Sequence, residues 1–236
     1  MPWIFAFFLS LFLGQGIPFP GFGPPAAAGG TFAKTHIVSS SGCATNTNTC
    51  AITVAATVAG RIGVIMAGLP NGNGSISSIS GAGTWASPAG CDAYWSAHGQ
   101  SVACAYNLSE TSGATTITVT WSTSSPGLSV GFTYFEYSYS GASVSYDTSG
   151  NRAETVSGNP RNGVTLTLSG TNDVIVQSQI WISASSVGSP YGNFTAFAGS
   201  TGDAADNENT ASGTAPSWTY SANQTPQFNG VALKGN

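Results

Sequence analysis

Charge is what this chain has least of. Only 6% of its 236 residues are charged, five basic against nine acidic, for a net charge of -4. An ordinary soluble domain carries about 25%. Lys34, Arg61, Arg152, Arg161 and Lys234 are scattered along the sequence. No basic run stands ready to neutralise phosphates, so nucleic acid is not an expected partner, and nothing favours an anionic membrane surface. Long apolar runs are missing too. Trp3–Leu13 (WIFAFFLSLFL) falls well short of the roughly 20 apolar residues that a spanning helix needs, so no transmembrane span is expected. Beyond Thr31 no window holds an apolar stripe at i, i+3, i+4 with caps at its ends, which leaves no sign of a helix. Disorder is excluded by what is present: 41% of residues are hydrophobic and 11% aromatic, enough apolar surface to offset chain entropy.

The N-terminal segment has the length of a signal-peptide core. Gly14-Gln15-Gly16 supplies small residues at the positions that a signal peptidase reads, and Ala26-Ala27-Ala28 is a second candidate. Residues 1–16 are therefore expected to be a signal peptide, and 17–30 a Pro/Gly-rich spacer. Two alternatives remain for the apolar segment: an amphiphilic N-terminal anchor, or an arm that a neighbouring subunit buries as a strand.

Strand signals fill residues 31–236. Thr115–Trp121 (TTITVTW) sets Ile117, Val119 and Trp121 against Thr116, Thr118 and Thr120, one buried face and one wet face. Val164–Leu168 (VTLTL) repeats the pattern, and Ala51–Val58 carries a weaker version. Ile62–Ala67, Val174–Val176 with Ile180–Ile182, and Leu128–Tyr139 are apolar on both faces, as central strands covered on both sides would be. Turn clusters rich in Asn, Gly and Pro separate them. Such a length suits one large sandwich or barrel, or at most two small domains. The spacing predicts nine or ten strands in a single all-β domain: a two-sheet antiparallel β-sandwich, jelly-roll or Ig-like, with a closed barrel as the alternative. No fixed-period repeat is visible.

Four cysteines allow three pairings, and neither short spacing is that of a zinc or redox motif. Cys91–Ser96 and Ser101–Tyr106 read as two strands around Ala97-His98-Gly99-Gln100, which puts Cys91 and Cys104 at matching distances from the turn. Cys43–Cys50 would then close the loop between them. Both bridges need an oxidising compartment, which agrees with a secreted or cell-surface location.

The strand RIGVIMAG (61–68), the hairpin segment CDAYWSA (91–97), SGATTITVTW (112–121), FEYSYSG (135–141) and the closing FNGVALKG (228–235) resemble, in that order, secreted β-sandwich proteins of soil-type bacteria. The resemblance covers about residues 31–236. It implies the sandwich fold, secretion and a bacterial setting, and it carries over no functional residues.

Catalysis finds little support in the residues. No G-x-S-x-G elbow is present, and a triad would have to use His36, in the first expected strand, or His98, in a turn. Glu136 is the one carboxylate in a strongly aromatic strand, where burial could make it a general acid, but the strand offers no second carboxylate for glycoside hydrolysis. Asp203–Asn209 (DAADNEN) gathers Asp203, Asp206 and Glu208, oxygen ligands that a loop could present to Ca²⁺, although the spacing is not that of an EF-hand and a solvated acidic loop is the plainer reading. No other cofactor is indicated. Aromatic residues in Gly/Ser/Asn-rich segments are the stronger signal: Trp85, Tyr94, Trp95, Tyr191, Phe194 and Trp218 could stack on sugar rings or enter a protein interface. Core packing is the competing role for each, and Trp121 and Trp181, in apolar strands, are expected in the core. The expectation is a non-enzymatic binding module for a glycan or a surface protein. A self-assembling subunit of an extracellular fibre or surface layer is the first alternative, and a glycoside hydrolase the second.

Overall fold

A computed structural model describes residues 29–40, 43–126, 129–180, 184–196 and 202–236. The expected signal peptide, most of the spacer, and Trp181 lie outside them. The chain is an antiparallel all-β sandwich, as the alternation requires, but the described residues hold sixteen strands rather than nine or ten. The first half contains β1 (Phe32–Ser39), β2 (Thr49–Thr53), β3 (Ile62–Leu69), β4 (Ile76–Ser80), β5 (Ala93–Trp95), β6 (Gln100–Asn107), β7 (Thr116–Trp121) and β8 (Gly131–Tyr139). The second contains β9 (Val144–Ala153), β10 (Arg161–Asn162), β11 (Asp173–Ile180), β12 (Ser186–Val187), β13 (Gly192–Ala196), β14 (Gly202–Thr210), β15 (Ser217–Thr219) and β16 (Gln227–Gly235).

These strands form four sheets, not two. Two have five strands, in the orders β1-β8-β3-β6-β5 and β13-β14-β11-β16-β9, and two have three, in the orders β2-β7-β4 and β10-β15-β12. The second half repeats the topology of the first. Moving each strand of the first half eight places along the chain turns β1-β8-β3-β6-β5 into β9-β16-β11-β14-β13, which is the second large sheet read from its other edge. The same shift turns β2-β7-β4 into β10-β15-β12. Each half is thus a five-on-three sandwich of one design, a repeat that no fixed period in the sequence betrays.

Side-chain alternation stacks the sheets. In β3, Val64 and Met66 meet Val174, Val176, Val231 and Leu233 of the other large sheet. The intervening Ile65 and Ala67 meet Ile117, Val119 and Trp121 of the small sheet on the opposite side. In the second half Ile175, Ala205 and Ala232 pack with Trp218 and Tyr220. Three apolar layers fill three successive gaps, and the two large sheets face each other in the middle. Every residue of β3 and of β11 is therefore buried, which is why these segments are apolar runs without alternation. Val164–Leu168 behaves differently from its pattern. Val164 and Leu166 are buried, but the segment forms no strand, and Leu166 N bonds only to Gly213 O at 2.9 Å. Apolar alternation secures the inward facing there without a ladder partner.

Both expected disulfides are present, Cys43–Cys50 with Cα atoms 5.3 Å apart and Cys91–Cys104 at 5.6 Å. The hairpin logic accounts for the second: Ala93 pairs with Val102, Tyr94 with Ser101 and Trp95 with Gln100, a register that sets Cys91 opposite Cys104. No helix among the described residues is long and apolar enough to cross a membrane.

Candidate groove between two edge strands

A sandwich half leaves an open side where the edge strand of one sheet overlies the edge strand of the other. In the first half those strands are β4 and β5. The turn that leads into β4 is fastened to the β5–β6 hairpin. Gly72 N donates to Gly99 O at 2.6 Å, Gly74 N donates to Ser101 Oγ at 3.0 Å, and Ser101 Oγ donates to Gly72 O at 2.9 Å. Gly72 has φ +151°, a backbone conformation that favours glycine. The result is an open polar groove of about 310 Å³ with Asn73, Gly74 and Ser75 on one wall and Asp92 and Tyr94 on the other.

The period-two pleat sends Asp92 and Tyr94 to the same side. Tyr94 is 43% exposed, one of the few large apolar side chains left in water among the described residues. Asp92 Oδ1 is buried without a hydrogen-bond partner. Burial pushes the Asp92 carboxyl up to about 6, and the Cys104 backbone amide pulls it partway back. Buried polar atoms are nearly always satisfied, so an orphan acceptor at a groove wall needs an explanation. An exposed ring in a groove lined by polar side chains fits a ligand with an apolar face and hydroxyl edges.

A second groove, of about 410 Å³, lies between β4 and the segment that carries Trp85. Trp85 is half-buried. The bonds between Ala86 and Tyr106, at 2.8 and 2.9 Å, hold its segment to β6, and Trp85 Nε1 donates to Gly81 O at 2.8 Å. Its ring meets Tyr134 edge-on at 6.4 Å.

Behind Trp85 sits a carboxyl pair that the sequence did not disclose. Glu136 is buried and accepts from Arg61 Nη1 at 2.8 Å and from Thr35 Oγ1 at 2.7 Å. Glu110, from the β6–β7 connection, is buried beside it and accepts from Tyr134 Oη at 2.8 Å. Burial, with the neighbouring Glu136 acting in the same direction, raises the Glu110 carboxyl to about 7, while the Tyr134 hydroxyl and Arg61 oppose the shift. Glu110 lies 26 positions before Glu136, so a search along one strand face cannot find it. Neither of these two grooves is lined by either carboxyl; the pair ties together Thr35, Arg61 and Tyr134.

The other sequence candidates are not brought together. Trp218 is fully buried in the second half's core, where its breadth fills the space between sheets, and it offers no surface for stacking. Tyr191 is 5% exposed, and its hydroxyl accepts from Gln177 Nε2 at 3.0 Å, so it too is core. Both therefore drop out as ligand-binding residues. Trp95 is half-buried with its ring against His98, centroids 4.0 Å apart. Phe194 is 37% exposed on β13, the counterpart of β5, and packs beside Trp218.

The acidic segment is strand β14, not a loop. Asp203 and Asp206 fall on opposite faces of it, Asp203 with Ala205 toward one apolar layer and Asp206 with Ala204 toward the other. Asp203 accepts from Gln179 Nε2 at 2.5 Å and Ala184 N at 2.6 Å. Asp206 accepts from Tyr137 Oη at 2.8 Å and Asn193 Nδ2 at 2.6 Å, and Glu208 accepts from Lys34 N at 3.4 Å. Burial raises both aspartates to about 6. Divergent and already bonded, Asp203, Asp206 and Glu208 do not converge on a calcium ion. Among the described residues no group of three His, Cys, Asp or Glu side chains could hold a metal.

No family model, curated protein or solved structure matches the chain.

Proposed function

We propose that this is an exported recognition module that binds an uncharged glycan without catalysis, in the groove between β4 and β5. The observation that carries this reading is Tyr94, exposed in an open polar groove that Asn73, Ser75 and Asp92 also line. A phenol ring stacks on the apolar face of a sugar, and the polar side chains that line the groove offer partners for its hydroxyls. The short supply of charge suits an uncharged ligand. Two disulfides fit an oxidising compartment outside the cytosol.

Immobilised glycans probed with the wild-type chain and with Tyr94→Ala test the proposal. Binding that falls about tenfold or more in the variant is expected, since an aromatic contact is worth on the order of 1 kcal/mol beyond its area. Equal binding by the two proteins, or none by either, refutes it.

A further inference from the structure

The lining of the two grooves is continuous along one wall and interrupted by residues 88–91 on the other. On one wall Asn73–Ser75 line the first groove and Ile76–Ile79 continue directly into the second. On the other wall Asp92 and Tyr94 line the first, while Gly83–Trp85 and Ser87 line the second. The walls therefore run in opposite directions, with Tyr94 opposite Asn73–Ser75 at one end and Trp85 opposite β4 at the other. The short turn Ala89–Cys91 joins the two parts of the second wall. Residues 73–79 cover on the order of 20 Å at about 3.3 Å per residue.

We infer that the two grooves form one trough, and that its ligand is an extended, uncharged linear polysaccharide lying along β4 with sugar rings at Tyr94 and at Trp85. This rests on the recognition reading above. Four features point the same way. Tyr94 and Trp85 lie at the two ends, so one sugar ring cannot engage both. The β4 wall between them carries Ser77 and Ser78, exposed hydroxyl-bearing residues suited to sugar hydroxyls. None of the lining residues except Asp92 bears a charge. Both grooves are open to solvent rather than enclosed, which suits an internal stretch of a polymer, where a closed pocket would select a chain end. An added peptide strand is the rival occupant of an edge strand. Here the register of β4 against β7 slips between Ile76 and Ser78, and such an irregularity spoils a strand as a template for pairing.

The test uses the full disulfide-bonded chain, titrated calorimetrically with soluble linear β-glucan, xylan and mannan and with their oligomers from disaccharide to octasaccharide. Three variants accompany it: Tyr94→Ala, Trp85→Phe, and Ser78→Tyr, which obstructs the trough at an exposed position without touching the core. Expected are an affinity that climbs about tenfold or more between disaccharide and hexasaccharide and then levels, a loss of that gain in Ser78→Tyr, and a weakened hexasaccharide in Trp85→Phe. If a disaccharide binds as tightly as the hexasaccharide and Ser78→Tyr changes nothing, while Tyr94→Ala abolishes binding, the single trough is refuted and the recognition reading survives. If no carbohydrate binds, or if unbiased peptides bind and Ser78→Tyr blocks them, both fall.

Discussion

Replacing Glu110 with glutamine should make this protein more stable at pH 8 and leave it almost unchanged at pH 4. Glu110 and Glu136 are buried together with a single guanidinium, Arg61, which reaches Glu136 at 2.8 Å. One cation does not satisfy two carboxylates in a desolvated site, so the folded protein keeps a proton on Glu110, whose carboxyl lies at about 7 against an ordinary 4.5. Below pH 4.5 folded and unfolded chains are both protonated there and the group is neutral in its effect. Between 4.5 and 7 the unfolded chain releases the proton while the fold retains it, so stability falls as pH rises. Above 7 the loss levels off. A displacement of this size corresponds to about 3 kcal/mol, at 1.36 kcal/mol per pH unit. Glutamine keeps the acceptor for Tyr134 Oη and supplies an amide donor toward Glu136, so it stands in for the protonated acid. Urea unfolding of both proteins at pH 4, 6 and 8 with the disulfides intact reads the difference. The variant should gain about 3 kcal/mol on the wild type between pH 4 and 8, or roughly 6–12 °C in melting temperature. Identical pH profiles would show that the two carboxyls do not compete for solvation, and the argument would fail. Because the comparison is between variant and parent, the raised carboxyls of Asp92, Asp173, Asp203 and Asp206 cancel from it. In the wild type they act in the same direction and make mild acid the favoured condition.

Two further outcomes follow from the site and the core. If the Asp92 carboxylate accepts sugar hydroxyls, glycan affinity should rise with pH through about 6, and Asp92→Asn should flatten that dependence when the calorimetry is repeated from pH 4.5 to 8. Trp218→Ala, at a fully buried position, should cost about 3–5 kcal/mol by denaturant unfolding, whereas Phe194→Ala on the exposed edge should cost much less; similar losses would contradict the assignment of Trp218 to the core.

The alternation of β7 and the unbroken apolar runs of β3 and β11 could be read from the chain because a pleated strand reports its burial residue by residue. One oily face means one covered side, and two mean two. The Cys91–Cys104 bridge was equally legible, since a hairpin register is a local count from its turn. Strand number was not. Two- and three-residue strands such as β10, β12 and β15 are too short to display a period, and Val164–Leu168 displays one without being a strand. The aromatic candidates failed as a set because composition of the surrounding segment says little about which face a ring takes: Tyr94 is in water, while Trp218, in an equally polar neighbourhood, is sealed between sheets.

What the sequence determined by itself was local: extended backbone, inward and outward faces, and the hairpin register that sets Cys91 opposite Cys104, all set by interactions among residues near in the chain. Only the tertiary structure decided how the strands are shared among four sheets, that two halves repeat one topology, that Glu110 meets Glu136, and that open grooves lie beside Tyr94 and along β4. Each of these joins residues distant in sequence, and no short-range period records which strand will lie across from which.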